Sequence, residues 1–105
     1  MHQGSEGDRD NLMFDLECEF HSFKMKAGES ISSYHSRFQI LCDKMKAAGI
    51  DMSKVNTVLP FIHGVDSRFT TTKRVMFMTK DVKLLSLQVI AGKFAMEERD
   101  IGGST

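Results

Sequence analysis

Tryptophan is absent from this chain of 105 residues, proline occurs once, and cysteine occurs only at Cys18 and Cys42. Two cysteines cannot make a disulfide framework. A single proline, Pro60, argues against a fold dense in turns and short strands. Net charge is absent too, because 14 Lys and Arg balance 14 Asp and Glu. A free-standing nucleic-acid binder normally carries a basic excess for neutralising phosphates, so that class is disfavoured. No apolar run approaches the roughly 20 residues that span a bilayer. The start, MHQGSEGDRD, is polar and acidic and does not have the form of a signal peptide. The expected setting is therefore reducing and cytoplasmic, with no membrane partner.

What remains is rich in flexible and aromatic apolar side chains, with 8 Met, 8 Phe, 41% hydrophobic and 27% charged residues. These fractions suit one globular domain with one core. Abundant Met with little Pro favours helices whose irregular gaps Met can fill. Residues 1–10 and 101–105 lack periodicity and are expected to be a flexible leader and tail around a helical domain over 11–100.

Within that domain the apolar period is helical. Leu12, Met13, Leu16, Phe20 and Phe23 share a face opposite Asp15, Glu19 and Ser22, with Asp10 or Asn11 as cap and Gly28 just past the end. Ser30 caps a second helix carrying Ile31, Tyr34, Phe38, Leu41, Met45 and Ala48, which Gly49 stops. Asp51 or Ser53 caps a third, with Val55, Val58, Leu59 and Ile62. Pro60 inside it predicts a kink or an early end, with Gly64 as terminator. Asp66 or Ser67 opens a fourth through Phe69, Val75, Met76 and Met78. Ser86 opens a fifth with Leu87, Ile90, Ala91, Phe94 and Ala95. Glu97 and Glu98 sit at the end of that helix where the dipole disfavours carboxylates.

The search for chemistry returns little. Cys18 with His21, and His35 with Cys42, lack the partners of a metal site, so no metal and no cofactor are expected. A thiol nucleophile on Cys18 or Cys42 with His21, His35 or His63 has no visible oxyanion site or orienting group. Gly4 and Gly7 precede no strand, so a phosphate-binding loop is excluded. Lys24 with Lys26, Lys44 with Lys46, and Lys73 with Arg74 read chiefly as solvated helix faces, with RNA contact as the lesser reading. Met13, Met25, Met52, Met76, Phe77, Met78 and Met96 exceed what so small a core absorbs. They are candidates for an assembly surface.

The stretch FKMKAGESISSYHSRFQILCDKM, from Phe23, resembles the Gag segment of plant LTR retrotransposons, copia-type especially. The matching residues are Phe23, Met25, Gly28, Glu29, Ser30, Ile31, Tyr34, Arg37 and Phe38. Glu29, Ile31, Tyr34, Arg37 and Phe38 also fall in the register of the retroviral capsid major homology region, although Met25 and Lys26 stand where that motif has Gln-Gly. Phe61 to Val65 with Phe69, and Ser86 to Arg99, are similar to later elements of the same families. The Trp-containing segment and the zinc knuckle of those families have no counterpart here.

The resemblance implies a retroviral capsid-lobe-like, compact all-α bundle of about five short helices. It also implies a non-catalytic structural protein that self-associates as a homo-oligomer in virus-like particle assembly. Glu29, Ile31, Tyr34, Arg37 and Phe38 would hold the fold, with Glu29 capping the second helix and Arg37 bonded to that carboxylate or to a loop carbonyl. A helical adaptor for protein or RNA is the alternative function.

Overall fold

A computed structural model describes the backbone of residues 5–103 and the side chains of residues 10–101. Its five α-helices are α1 (Ser5–His21), α2 (Ile31–Ala47), α3 (Val58–Gly64), α4 (Thr70–Met78) and α5 (Leu87–Gly103). Single 3-10 turns at Met52–Lys54, Ser67–Phe69 and Val82–Leu84 lie between the successive helices from α2 to α5, and no strand occurs among the described residues. The fold is a small all-α bundle. Helix α2 lies at its centre, packed against both α1 and α5, while α4 lies on α3 and α5.

The expected α2 stripe is the core. Ile31, Tyr34, Phe38, Leu41 and Met45 are all buried, with Ala48 half-buried at the edge. Ser30 caps the helix, its hydroxyl accepting from the Ser33 amide at 3.1 Å. At the other end Ile50 donates to the Met45 carbonyl and Gly49 to the Lys46 carbonyl, with Gly49 at φ 100°. This paired closure satisfies the last carbonyls and tucks Ile50 against Met45.

Of the two outcomes expected at Pro60, a kink or an early end, the helix shows the end, at Gly64 four residues on. Helix α3 starts at Val58, so Pro60 falls in its first turn, where the missing amide has no intrahelical acceptor to lose. The Asn56 side chain accepts from the amides of Val58 and Leu59 at 3.2 and 3.4 Å. Asp51 caps the Met52–Lys54 turn instead of α3, which leaves Val55 outside the helix.

The ends of the domain depart from expectation. Residues 1–4 and 104–105 of the expected leader and tail lie outside the described residues, but α1 takes in 5–10 and α5 runs through 101 to Gly103. Lack of an apolar period reports lack of a packing face, not lack of a helix. Leu12, expected on the packing face, is exposed, as is Phe14, while Leu16 and Phe20 are buried and Met13 packs half-buried against the core. Phe23, expected on this helix, lies beyond its end.

Candidate functional site

The residues singled out between Phe23 and Phe38 converge on one structure. After α1 the chain folds back over α2, and Phe23 stacks on Tyr34 with ring centroids 5.5 Å apart. Lys26 to Glu29 then forms a tight turn, closed by the Glu29 amide donating to the Lys26 carbonyl at 3.0 Å. Gly28 holds φ 75° at its third position, which a residue with a Cβ resists. The turn is closed again from the side chain, because the Lys26 amide donates to Glu29 Oε1 at 2.9 Å.

Arg37, two turns along α2, clasps this turn to the helix. Its Nε and Nη2 donate to Glu29 Oε2 and Oε1, both at 2.7 Å, and Nη2 also donates to the Lys24 carbonyl at 3.0 Å. Both expected acceptors are thus used at once. The guanidinium lies 4.6 Å from the centre of the Phe23 ring, a cation–π contact. The Glu29 side chain is only 7% exposed. Arg37 holds its carboxyl well below the usual range, at about 2, and the Lys26 amide and Ser33 hydroxyl act in the same sense against the opposing effect of burial.

Glu29 does not cap α2, as had been expected. It precedes the Ser30 cap, and its carboxylate accepts from the Lys26 amide and the Ser33 hydroxyl, not from the amides of the first helical turn. The Ile31 amide at the start of α2 instead donates to Glu98 Oε2, reaching in from α5, at 2.8 Å. Its neighbour Glu97 accepts from the Thr72 amide in the first turn of α4 at 2.9 Å. Two adjacent carboxylates on one helix therefore cap two others. The sequence puts these carboxylates at the end of α5, but the helix runs on to Gly103, so they lie inside it and nothing local marks them as caps for other helices.

Arg68 is the other residue the sequence did not flag. Its guanidinium donates to the Glu29 carbonyl, stands 3.9 Å from Glu98 and lies over the Phe69 ring. It links the turn, α5 and the segment leading into α4.

Tyr34 and Phe38 are fully buried. The Tyr34 hydroxyl donates to the Phe61 carbonyl at 2.8 Å, and burial pushes its pKa up. Gly64 is what permits this. A Cβ there would stand 2.2 Å from the Tyr34 hydroxyl and 2.6 Å from the Phe23 carbonyl. Gly64 ends α3, but close approach and not a left-handed φ is its reason for being glycine. Its own carbonyl accepts from the Met25 amide at 2.8 Å, tying the Phe23 loop to α3.

Lys24, Lys26, Lys44, Lys46 and Arg74 are exposed. Lys73 is half-buried, and its Nζ donates to the Val65 carbonyl at 2.9 Å, closing the end of α3. The thiol of Cys42 is half-buried and pushed up to about 11, mainly by burial and secondarily by Asp43, so it is protonated at neutral pH. No group of three or more His, Cys, Asp or Glu able to hold a metal occurs among the described residues. No helix among them is long and apolar enough to cross a membrane.

Of the Met and Phe proposed for the surface, Phe77, Met78 and Met96 are exposed, while Met13, Met25 and Met52 are half-buried against the core. Met76 is buried, because it is the one α4 side chain that turns toward the core. Val75 and Met96 line one groove between α4 and α5, whereas Phe77 and Met78 line another with Lys73 and Arg74, and Val89 is exposed on α5. A concavity of about 590 Å³ opens beside the end of α1, with Phe20, His21, Leu59, Pro60 and His63 in its wall.

The fold and the clasp define a small all-α module whose surface turn is pinned to α2 and whose α4 and α5 carry exposed apolar side chains. No family model matches the chain, and no curated protein or solved structure matches it either.

Proposed function

We propose that this chain is a Gag capsid-like module of the LTR-retrotransposon type, acting structurally by weak, repeated self-association and not by catalysis. The observation that carries the reading is the clasp. Glu29 and Arg37 are joined by two 2.7 Å hydrogen bonds, with Tyr34 and Phe38 buried beneath them. The residues that carry the resemblance thus form one fold-holding unit and leave none of themselves free for chemistry. Assembly then falls to the remaining surface, where large apolar side chains stand exposed on α4 and α5. Weak symmetric contacts suffice, because avidity grows with copy number.

Light scattering coupled to size exclusion, over a concentration series, tests the proposal. A mass that rises toward a dimer or beyond with concentration supports it. A strict monomer at every concentration and salt overturns it. Binding of single-stranded RNA that falls steeply with added salt, by a monomeric chain, favours the adaptor reading instead.

A further inference from the structure

The outer face of α5 carries a pattern that complements itself. Val89, Lys93, Met96 and Asp100 follow one another at alternating steps of four and three, so they lie along one stripe of the helix. All four are exposed. Gly92 sits beside the stripe, and a Cβ there would meet nothing, so the helix backbone itself is open to close approach. Lys93, Met96 and Asp100 also line one groove with Thr71 and Val75 of α4, of about 570 Å³, where Glu97 is already spent on the Thr72 amide. The ion pairs of the described residues are Arg37 with Glu29 and Arg68 with Glu98, so neither Lys93 nor Asp100 is spent inside the chain.

Along this stripe a cation and an anion stand two turns, about 10 Å, apart with an apolar residue between them. Two such helices laid antiparallel about a two-fold axis at Met96 place each Lys93 opposite the other copy's Asp100. Both charges are answered, and the two Met96 side chains meet at the centre. A parallel pairing in register would set like charge against like. The occupant that matches this face in charge order, spacing and apolar content is therefore the same face of a second copy.

We infer that the α4–α5 face is an isologous, antiparallel self-association surface, centred on Met96 and closed by reciprocal Lys93–Asp100 pairs. The inference rests on the self-association reading and adds its surface and its symmetry. The contact is small, so the dimer is weak and concentration-dependent.

Sedimentation velocity across a concentration series, on the whole chain, tests it with Lys93→Glu, Asp100→Lys, the double reversal Lys93→Glu/Asp100→Lys, and Met96→Ser. All three positions are on the surface, and circular dichroism checks that each variant is folded. Each single reversal sets like charges opposite one another twice and weakens association about tenfold or more. Met96→Ser weakens it as well. The double reversal restores it to within about threefold, because the pattern is inverted but still complementary. A wild-type dimer that none of the variants disturbs overturns this surface and leaves self-association standing. Single variants that weaken association without rescue by the double overturn the reciprocal pairing. A wild-type chain that is monomeric throughout overturns self-association and this surface together.

Discussion

Two regions of the molecule treat their side chains in opposite ways. Between Phe23 and Phe38 nearly every group is used: the turn is closed twice, Arg37 makes three hydrogen bonds and a ring contact, and Tyr34 and Phe38 are fully buried. On the outer side of α4 and α5 large apolar groups face solvent, with Met78 at 78% and Met96 at 59% exposure. A small bundle has room for only one core. Residues inside the clasp set the fold, whereas residues outside it are free to meet something else. Mutations should divide the same way, with large stability effects in the first region and small ones in the second.

Gly64→Ala is the most damaging single change. The new methyl meets the Tyr34 hydroxyl and, less forgivingly, the Phe23 backbone carbonyl. Relieving the contact moves either the buried Tyr34–Phe61 hydrogen bond or the loop that Met25 ties to α3. Overpacking of this kind costs about 3 kcal/mol, which in a domain of this size lowers Tm by more than about 10 °C. Thermal melting followed by circular dichroism reads it directly. A melting point within about 2 °C of wild type would show that the contact is soft and the first region less tightly built than described.

Arg37→Met comes next. It leaves Glu29 mostly buried with its strongest partner gone, at a cost of about 2–3 kcal/mol. A double-mutant cycle with Glu29→Gln should give a coupling of more than about 1 kcal/mol, since the two residues share one bidentate contact. The same pair sets an acid limit. The Glu29 pKa is about 2 in the folded chain against 4.5 ordinarily, so its contribution is fully present above about pH 4.5 and is lost as pH falls toward 2. Urea midpoints measured between pH 6 and pH 2.5 should fall more steeply for wild type than for Glu29→Gln. Parallel curves would mean that the clasp is not the titrating element.

Much of the first region was legible in the sequence because its causes are local. The α2 stripe follows from spacing, Ser30 and Gly49 are cap residues by chemistry, and Glu29 and Arg37 lie close enough in the chain for a helix and a turn to bring them together. What escaped was long-range. Nothing near Ile31 says that its amide is answered from α5, 67 residues away. Arg68 gives no sign in the sequence of crossing to the Glu29 carbonyl. Pro60 reads from the sequence as a kink or an early end: α3 does end at Gly64, but it starts at Val58, two residues later than the spacing suggests, which makes Pro60 an ordinary first-turn proline. The resemblance drew attention to the clasp, and the geometry supplied its partners.

Glu98→Ala and Glu97→Ala sharpen the comparison, because they lie on α5 yet serve other helices. Each removes a carboxylate from a first-turn amide, at 2.8 Å for α2 and 2.9 Å for α4. Losing a cap costs about 1 kcal/mol, with Glu98 the larger because it also stands near Arg68. Amide hydrogen exchange should separate them: Glu98→Ala speeds exchange at Ile31, and Glu97→Ala at Thr72. Equal effects of both variants at both sites would show that α5 as a whole had loosened.

The smallest effect is expected furthest from the clasp. Met78 and Leu84, at 78% and 83% exposure, give up almost no contact on replacement by Gln. Each change should leave urea stability within about 0.5 kcal/mol of wild type, as most exposed substitutions do. The result is informative because it is small. If either cost more than about 1 kcal/mol, its side chain would be packed in the free monomer, and the outer face would belong to the same tightly built interior as Tyr34 and Phe38. A null effect on monomer stability leaves these residues free to act in association, so the same variants carried through the sedimentation series would show how far the α4–α5 contact extends beyond Met96.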